Sequence, residues 1–82
     1  MQSVFIEVKG IVQGVGFRPF VYNLALKYDI KGWVNNDEKG VNILLYACEE
    51  NIRKFINELK SNPPILAKID SINIEEITEI KE

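Results

Sequence analysis

Val4, Ile6 and Val8 alternate with Phe5, Glu7 and Lys9. That is the period of a strand with one face in a core and the other turned outward. Residues 10–16 contain three glycines in seven positions, which predicts a loop with room for unusual backbone angles. From Phe17 the period lengthens. Phe17, Phe20, Val21, Leu24 and Tyr28 fall on one face of a helix that should end near Asp29. Pro19 lies in its first turn, where a missing N–H costs nothing. Residues 30–35 read as a second strand built on Trp33 and Val34, and residues 36–40 as a polar hairpin loop closed by Gly40. Residues 41–47 read as a third strand. Glu49 and Glu50 open a second helix, placing negative charge at its positive end. Ile52, Phe55, Ile56 and Leu59 supply its apolar face, and Ser61-Asn62-Pro63-Pro64 stops it. A fourth strand is expected within residues 69–77, with Ile72 and Ile74 on one face, while Ile77 breaks the alternation. Residues 78–82 carry no clear pattern.

The order strand, helix, strand, strand, helix, strand predicts an α+β fold. It is the ferredoxin-like split βαβ sandwich, βαββαβ, with a four- to five-stranded antiparallel sheet and two helices on one face. Repeats, linkers and low-complexity segments are absent from the 82 residues, so residues 1–82 are expected to form one domain.

Charge and composition narrow the chemistry. The formal net charge is −2, so a nucleic-acid surface, which needs a basic excess, is not expected. An anion site must be local. The sequence has no histidine and one cysteine, Cys48. Histidine-based nucleophile activation and metal ligation are thereby removed, and neither a disulfide nor a cysteine zinc site can form within the chain. No metal or cofactor is expected. The N-terminal stretch lacks a basic region before its apolar residues, and no apolar run approaches bilayer length, so the expectation is a cytoplasmic protein.

The informative segment is Gly10-Ile11-Val12-Gln13-Gly14-Val15-Gly16-Phe17-Arg18, placed between a strand and a helix. Glycines at 14 and 16 let successive N–H groups turn toward one point, an anion-binding nest. The helix start adds its own unsatisfied N–H groups and dipole there. Arg18 offers a planar, permanently charged fork matched to phosphate. A cation at a helix N-terminus opposes the dipole by roughly 0.3–1 kcal/mol, a conflict that an anion lying between them would reverse. The alternative reading is a plain glycine turn before a helix and a solvated arginine. The G-x-G pair is not a dinucleotide fingerprint, since Pro19 stands where a third glycine belongs, and no Gly-Lys-Ser/Thr follows for a Walker loop.

Val12-Gln13-Gly14-Val15-Gly16-Phe17-Arg18, followed by Gly32-Trp33-Val34-Asn35-Asn36, resembles the two signature segments of the acylphosphatase family. The resemblance covers nearly the whole chain. It implies an enzyme that hydrolyses acyl phosphates. Arg18 would bind the phosphoryl group, with the loop N–H groups of Gln13, Gly14, Val15, Gly16 and Phe17. Asn36 would orient the attacking water. Asn35 beside it leaves a one-residue ambiguity, because neighbouring strand residues face opposite sides; the motif spacing selects Asn36. The family usually ends in a fifth strand beside the one carrying the asparagine. Here only Ile77 and Ile80 remain to supply it.

Arg18-Pro19-Phe20-Val21-Tyr22 and the segment from Pro63 to Ser71 look, more finely, like the N-terminal acylphosphatase-like domain of the hydrogenase-maturation carbamoyltransferases. That resemblance implies carbamoyl phosphate as substrate. It also implies further domains of a longer chain, and hydrogenase maturation proteins, as partners. The alternatives are a stand-alone acylphosphatase, or a carbamoyl-phosphate-binding module with little hydrolysis in isolation. RNA recognition on the same fold is disfavoured because residues 39–46 place valine and isoleucine where stacking rings belong. Trp33 reads as core or edge packing, Cys48 as a small filler at a helix start, Tyr22 as a partly packed helix residue, and Asp37 and Glu38 as solvated.

Overall fold

The computed structural model describes residues 2–14, 16–38 and 40–77. Four strands and two helices follow the expected order: β1 (Gln2–Ile11), α1 (Phe17–Lys27), β2 (Lys31–Asn36), β3 (Gly40–Ala47), α2 (Glu49–Ser61) and β4 (Lys68–Ile77). The strands form one antiparallel sheet in the order β2-β3-β1-β4.

Alternation decides which face is buried. Val4, Ile6 and Val8 of β1, and Val41, Ile43 and Leu45 of β3, are buried on one side. They share a core with Phe17, Val21 and Leu24 of α1 and with Ile52, Phe55 and Leu59 of α2. Both helices therefore cover the same face of the sheet. Fully burying one such side chain is worth roughly 1.5–3 kcal/mol before chain entropy is charged against it. The other face carries Phe5, Leu44 and Trp33 in one row across paired strands. There Trp33 meets Phe5 edge-on at 6.2 Å between centroids, yet stays about half exposed. It packs at an edge and not in the core.

The sheet runs further than the alternating stretch indicated. β1 continues through Gly10 and Ile11, with a register shift between Lys9 and Gly10 against β4. A bulge of this kind lets a strand bend and carry on. α1 ends at Lys27, two residues short of Asp29: Asp29 takes a left-handed φ of 55°, and the N–H of Ile30 returns to the Ala25 carbonyl at 2.9 Å. That closes the helix without glycine. A fifth strand is absent among the described residues. Ile77 closes β4, and Ile80 lies outside the described residues. β2 is accordingly a sheet edge among them.

Tyr28, just past α1, ties the helices together. Its hydroxyl donates to Glu58 Oε1 at 2.7 Å, and Lys27 Nζ reaches the same oxygen at 3.0 Å. The hydrogen bond from Tyr28, then that from Lys27, hold the Glu58 carboxyl below its usual range. The Glu58 bond in turn raises both Lys27 and Tyr28. The signs set a window. A lowered carboxyl adds stability above its unfolded value, 4.5, that is lost as pH falls through the folded value. Lys27 and Tyr28 add stability below 10.5 and 10.0, lost as pH rises through their raised values. Glu58→Gln should lower the midpoint of thermal unfolding at neutral pH and leave it nearly unchanged near pH 3. An equal loss at both pH values would contradict the pairing.

Topology then fixes where a site can form. β1 and β2 are each antiparallel to β3, so they run in the same direction. Their carboxyl ends, Ile11 and Asn36, lie at one end of the sheet. The start of β3 lies between them. The 12–16 loop and the N-terminus of α1 emerge at that same end.

Candidate active site

The loop after β1 gets its shape from two glycines. Gly14 has φ 71° and Gly16 φ 79°, both left-handed, and both positions have open space around the missing Cβ. Backbone conformation, not crowding, is what calls for glycine there. Gly16 caps α1 without a side-chain hydrogen bond, and the first turn holds no acidic residue. The first helical bond runs from Phe20 N to the Gly16 carbonyl at 3.2 Å. Helix geometry therefore leaves the N–H groups of Gly16, Phe17 and Arg18 without an intrahelical acceptor. With Pro19 third in the helix, the missing N–H of proline removes one further donor that would otherwise need a partner. Val15, also assigned to this cradle from sequence, lies outside the described residues.

Arg18 is exposed, and its Nη1 points to Asn36 Oδ1 at 3.4 Å. Asn36 ends β2, so the helix start and the strand end meet across a trough. Asn35 turns the other way and accepts from Asn42 at 3.4 Å. Strand alternation thus separates the two asparagines, and only Asn36 shares a side with Arg18. The trough has a volume of about 630 Å³. Gln13, Gly14, Gly16, Arg18 and Asn36 give it a polar end, and the buried Val12 and Phe17 form its floor. Pro19, Tyr22 and Val34 form its remaining walls.

Gln13 does something the sequence did not signal. Its side-chain amide donates to the Asp37 carbonyl and, at 3.4 Å, to the Gly40 carbonyl. It thereby fastens the loop after β1 to the hairpin after β2. Asp37 is also more than a solvated loop residue. Its Oδ1 accepts from Gly40 N at 3.1 Å, its Oδ2 accepts from Asn42 at 3.0 Å, and its own N–H donates to the Gly40 carbonyl at 2.9 Å. The turn that presents Asn36 is locked from within by Asp37 and from outside by Gln13. Gln13→Ala should cost about 1 kcal/mol of stability, the net worth of such bonds. It should also lower kcat about tenfold, since loosened placement of a reacting group is costly in rate. Unchanged turnover in Gln13→Ala would show that the link to the hairpin does not position Asn36.

Cys48 is the N-cap of α2 and is exposed, so it fills no gap. Among the described residues, no group of three His, Cys, Asp or Glu side chains is placed to hold a metal ion. No helix among them is long and apolar enough to cross a membrane.

Comparisons with known proteins converge on one family. The acylphosphatase family model matches residues 4–82. A probable carbamoyltransferase HypF of Methanocaldococcus jannaschii is 56% identical over 80 residues, covering 98% of this chain and 10% of that protein. An acylphosphatase of Pseudothermotoga lettingae is 44% identical over 78 residues, covering 94% of this chain and 86% of that one. Among solved structures, a full-length HypF in its phosphate- and nucleotide-bound form superposes with a TM-score of 0.92 at 51% identity. It covers 99% of this chain and 11% of that chain. The chain thus spans about a tenth of the HypF proteins it matches and most of the acylphosphatase.

Proposed function

The chain belongs to the acylphosphatase family of enzymes, and on that premise we propose that it hydrolyses acyl phosphates in the trough between α1 and β2. The amides of Gln13, Gly14, Val15, Gly16 and Phe17, together with Arg18, bind the phosphoryl group, and Asn36 holds the attacking water. The observation that carries this reading is the meeting of Arg18 and Asn36 at the uncompensated N-terminus of α1. A helix start without an acidic residue, with a cation beside it, is electrostatically incomplete until an anion lies between them.

The reaction asks little of the protein. The water oxygen bonds to phosphorus as the bond from phosphorus to the acyl oxygen breaks, and the carboxylate leaves with the electron pair. The proton lost by the water passes to a phosphate oxygen. The carboxylate is a good leaving group, so no strong acid is required. What remains is to neutralise the phosphoryl oxygens and to fix one water in line. Arg18 and the loop amides do the first. The Asn36 carboxamide does the second, accepting a hydrogen bond from the water so that a lone pair faces phosphorus.

Carbamoyl phosphate is the proposed natural substrate, and the chain is proposed to act as the N-terminal domain of a hydrogenase-maturation carbamoyltransferase, in the cytoplasm. The identity to a carbamoyltransferase over nearly the full length of this chain supports that context. Phosphate release from carbamoyl phosphate and acetyl phosphate by the 82-residue chain is the test. Turnover of both above the spontaneous rate is expected. Saturable phosphate binding without turnover would favour a binding module, and neither binding nor turnover would overturn the reading.

A further inference from the structure

We infer that Tyr22 is the specificity-determining residue on the acyl side of the site, and that its ring receives the flat face of the acyl group. The inference rests on the acyl phosphate reading above and asks where the rest of that substrate lies once the phosphoryl group is in its cradle.

The trough has two chemically distinct parts. The loop, Arg18 and Asn36 can satisfy phosphoryl oxygens. Of the apolar lining residues, Val12 and Phe17 are buried beneath the floor. Contact area for the acyl group therefore comes from Pro19, Tyr22 and Val34. Tyr22 stands four residues after Arg18, on the same helical face and one turn further along. It is 61% exposed. Leaving a tyrosine ring that open in a domain of this size forgoes the burial that Val21 and Leu24, its neighbours on α1, obtain. A bound acyl group would cover it. Val34 is two residues before Asn36 on β2, so it faces the same side of the sheet and is half-buried.

Two further features fit. Tyr22 and Val34 also line an adjoining apolar groove of about 260 Å³ that runs past Ala25 and Leu26. The trough therefore continues from the phosphate end into apolar surface, with Tyr22 at the junction. In addition, Asn36 lies on the β2 wall and Tyr22 on the α1 wall. In-line displacement places the water and the leaving group on opposite sides of phosphorus, so the residue that meets the acyl group must differ from the one that holds the water, as Tyr22 and Asn36 do.

The experiment compares wild type, Tyr22→Phe and Tyr22→Ala with acetyl phosphate and benzoyl phosphate, and measures inorganic phosphate as a competitive inhibitor. Calorimetric affinities for two non-hydrolysable methylene analogues, phosphonoacetone and phenacylphosphonate, accompany the kinetics. Tyr22→Ala should lose about three- to tenfold more kcat/KM with benzoyl than with acetyl phosphate, the worth of one aromatic contact. The same loss should appear between the two phosphonates, while the phosphate inhibition constant stays within about twofold. Tyr22→Phe should keep the wild-type preference, since the ring and not the hydroxyl is at work. Equal losses for both acyl groups, or a parallel loss of phosphate affinity, would overturn the assignment. A wild type that binds the phosphonates but turns over neither substrate removes hydrolysis and leaves Tyr22 judged on the two affinities. A wild type that binds neither phosphate nor phosphonate removes the site itself, and this inference with it.

Discussion

Arg18→Ala should lower kcat/KM for acetyl phosphate by about a thousandfold, the upper range for removing one donor aimed at developing charge. The inhibition constant for inorganic phosphate should rise with it, because a charge-assisted contact to the anion is lost in the ground state as well. The same substitution should not weaken the fold. Arg18 is exposed, and among the described residues its one side-chain bond is the 3.4 Å contact to Asn36. Removing a cation from the positive end of α1 should even raise stability slightly, by roughly 0.3–1 kcal/mol. Loss of activity together with an equal or higher unfolding midpoint is the signature of a residue kept for its ligand. Arg18→Lys should recover only part of the rate, since a point charge replaces a planar fork. A wild-type rate in Arg18→Ala, or a rate loss explained by unfolding, would remove the guanidinium from the mechanism.

The second large effect belongs to Asn36. Asn36→Ala should reduce kcat about a hundredfold, the scale of loss when a reacting group is no longer held in place. Phosphate inhibition should change by no more than about threefold, because the charge on Arg18 and the loop amides remain. Splitting kcat from phosphate affinity is what separates holding a water from holding the phosphoryl group. Asn35→Ala provides the internal control. It lies one residue away but on the other side of the sheet, bonded to Asn42, and should leave both constants near wild type. A matched loss of phosphate affinity in Asn36→Ala would instead make its contact to Arg18 the reason it matters.

Most of the scaffold could be read from residue order because its determinants are local. The alternation of Val4, Ile6 and Val8 and the helical spacing of Val21 and Leu24 each reflect one buried face. Alternation, together with the motif spacing, also placed Asn36 rather than Asn35 on the side of Arg18, where the structure puts it. Non-local features were hidden. Gly10 reads as loop, yet pairing with β4 across a bulge keeps it in the sheet. Gln13 reads as a backbone contributor to the cradle, while its side chain reaches a hairpin twenty-four residues on. No periodicity encodes that reach. Asp37 looks solvated in sequence because its partners, Gly40 and Asn42, become acceptors and donors only once the turn has formed. Tyr22 looks partly packed, because helical spacing gives a side chain's direction and not what lies beyond it.

These effects share one physical premise. In the proposed function, the backbone amides of a glycine-bent loop, a helix start and one guanidinium would share a single bound oxyanion at the carboxyl ends of β1 and β2. Titration of the chain with inorganic phosphate, followed by amide and guanidinium nitrogen resonances, examines that convergence directly. Saturable shifts should concentrate on residues 13–17 and on the Arg18 side chain. The amides of Glu49 and Glu50, at the other helix start, should stay still, because two acidic residues in that first turn make it unfavourable for a further anion. Shifts that gather elsewhere, or that persist unchanged in Arg18→Ala, would show that the anion does not bind where these groups meet.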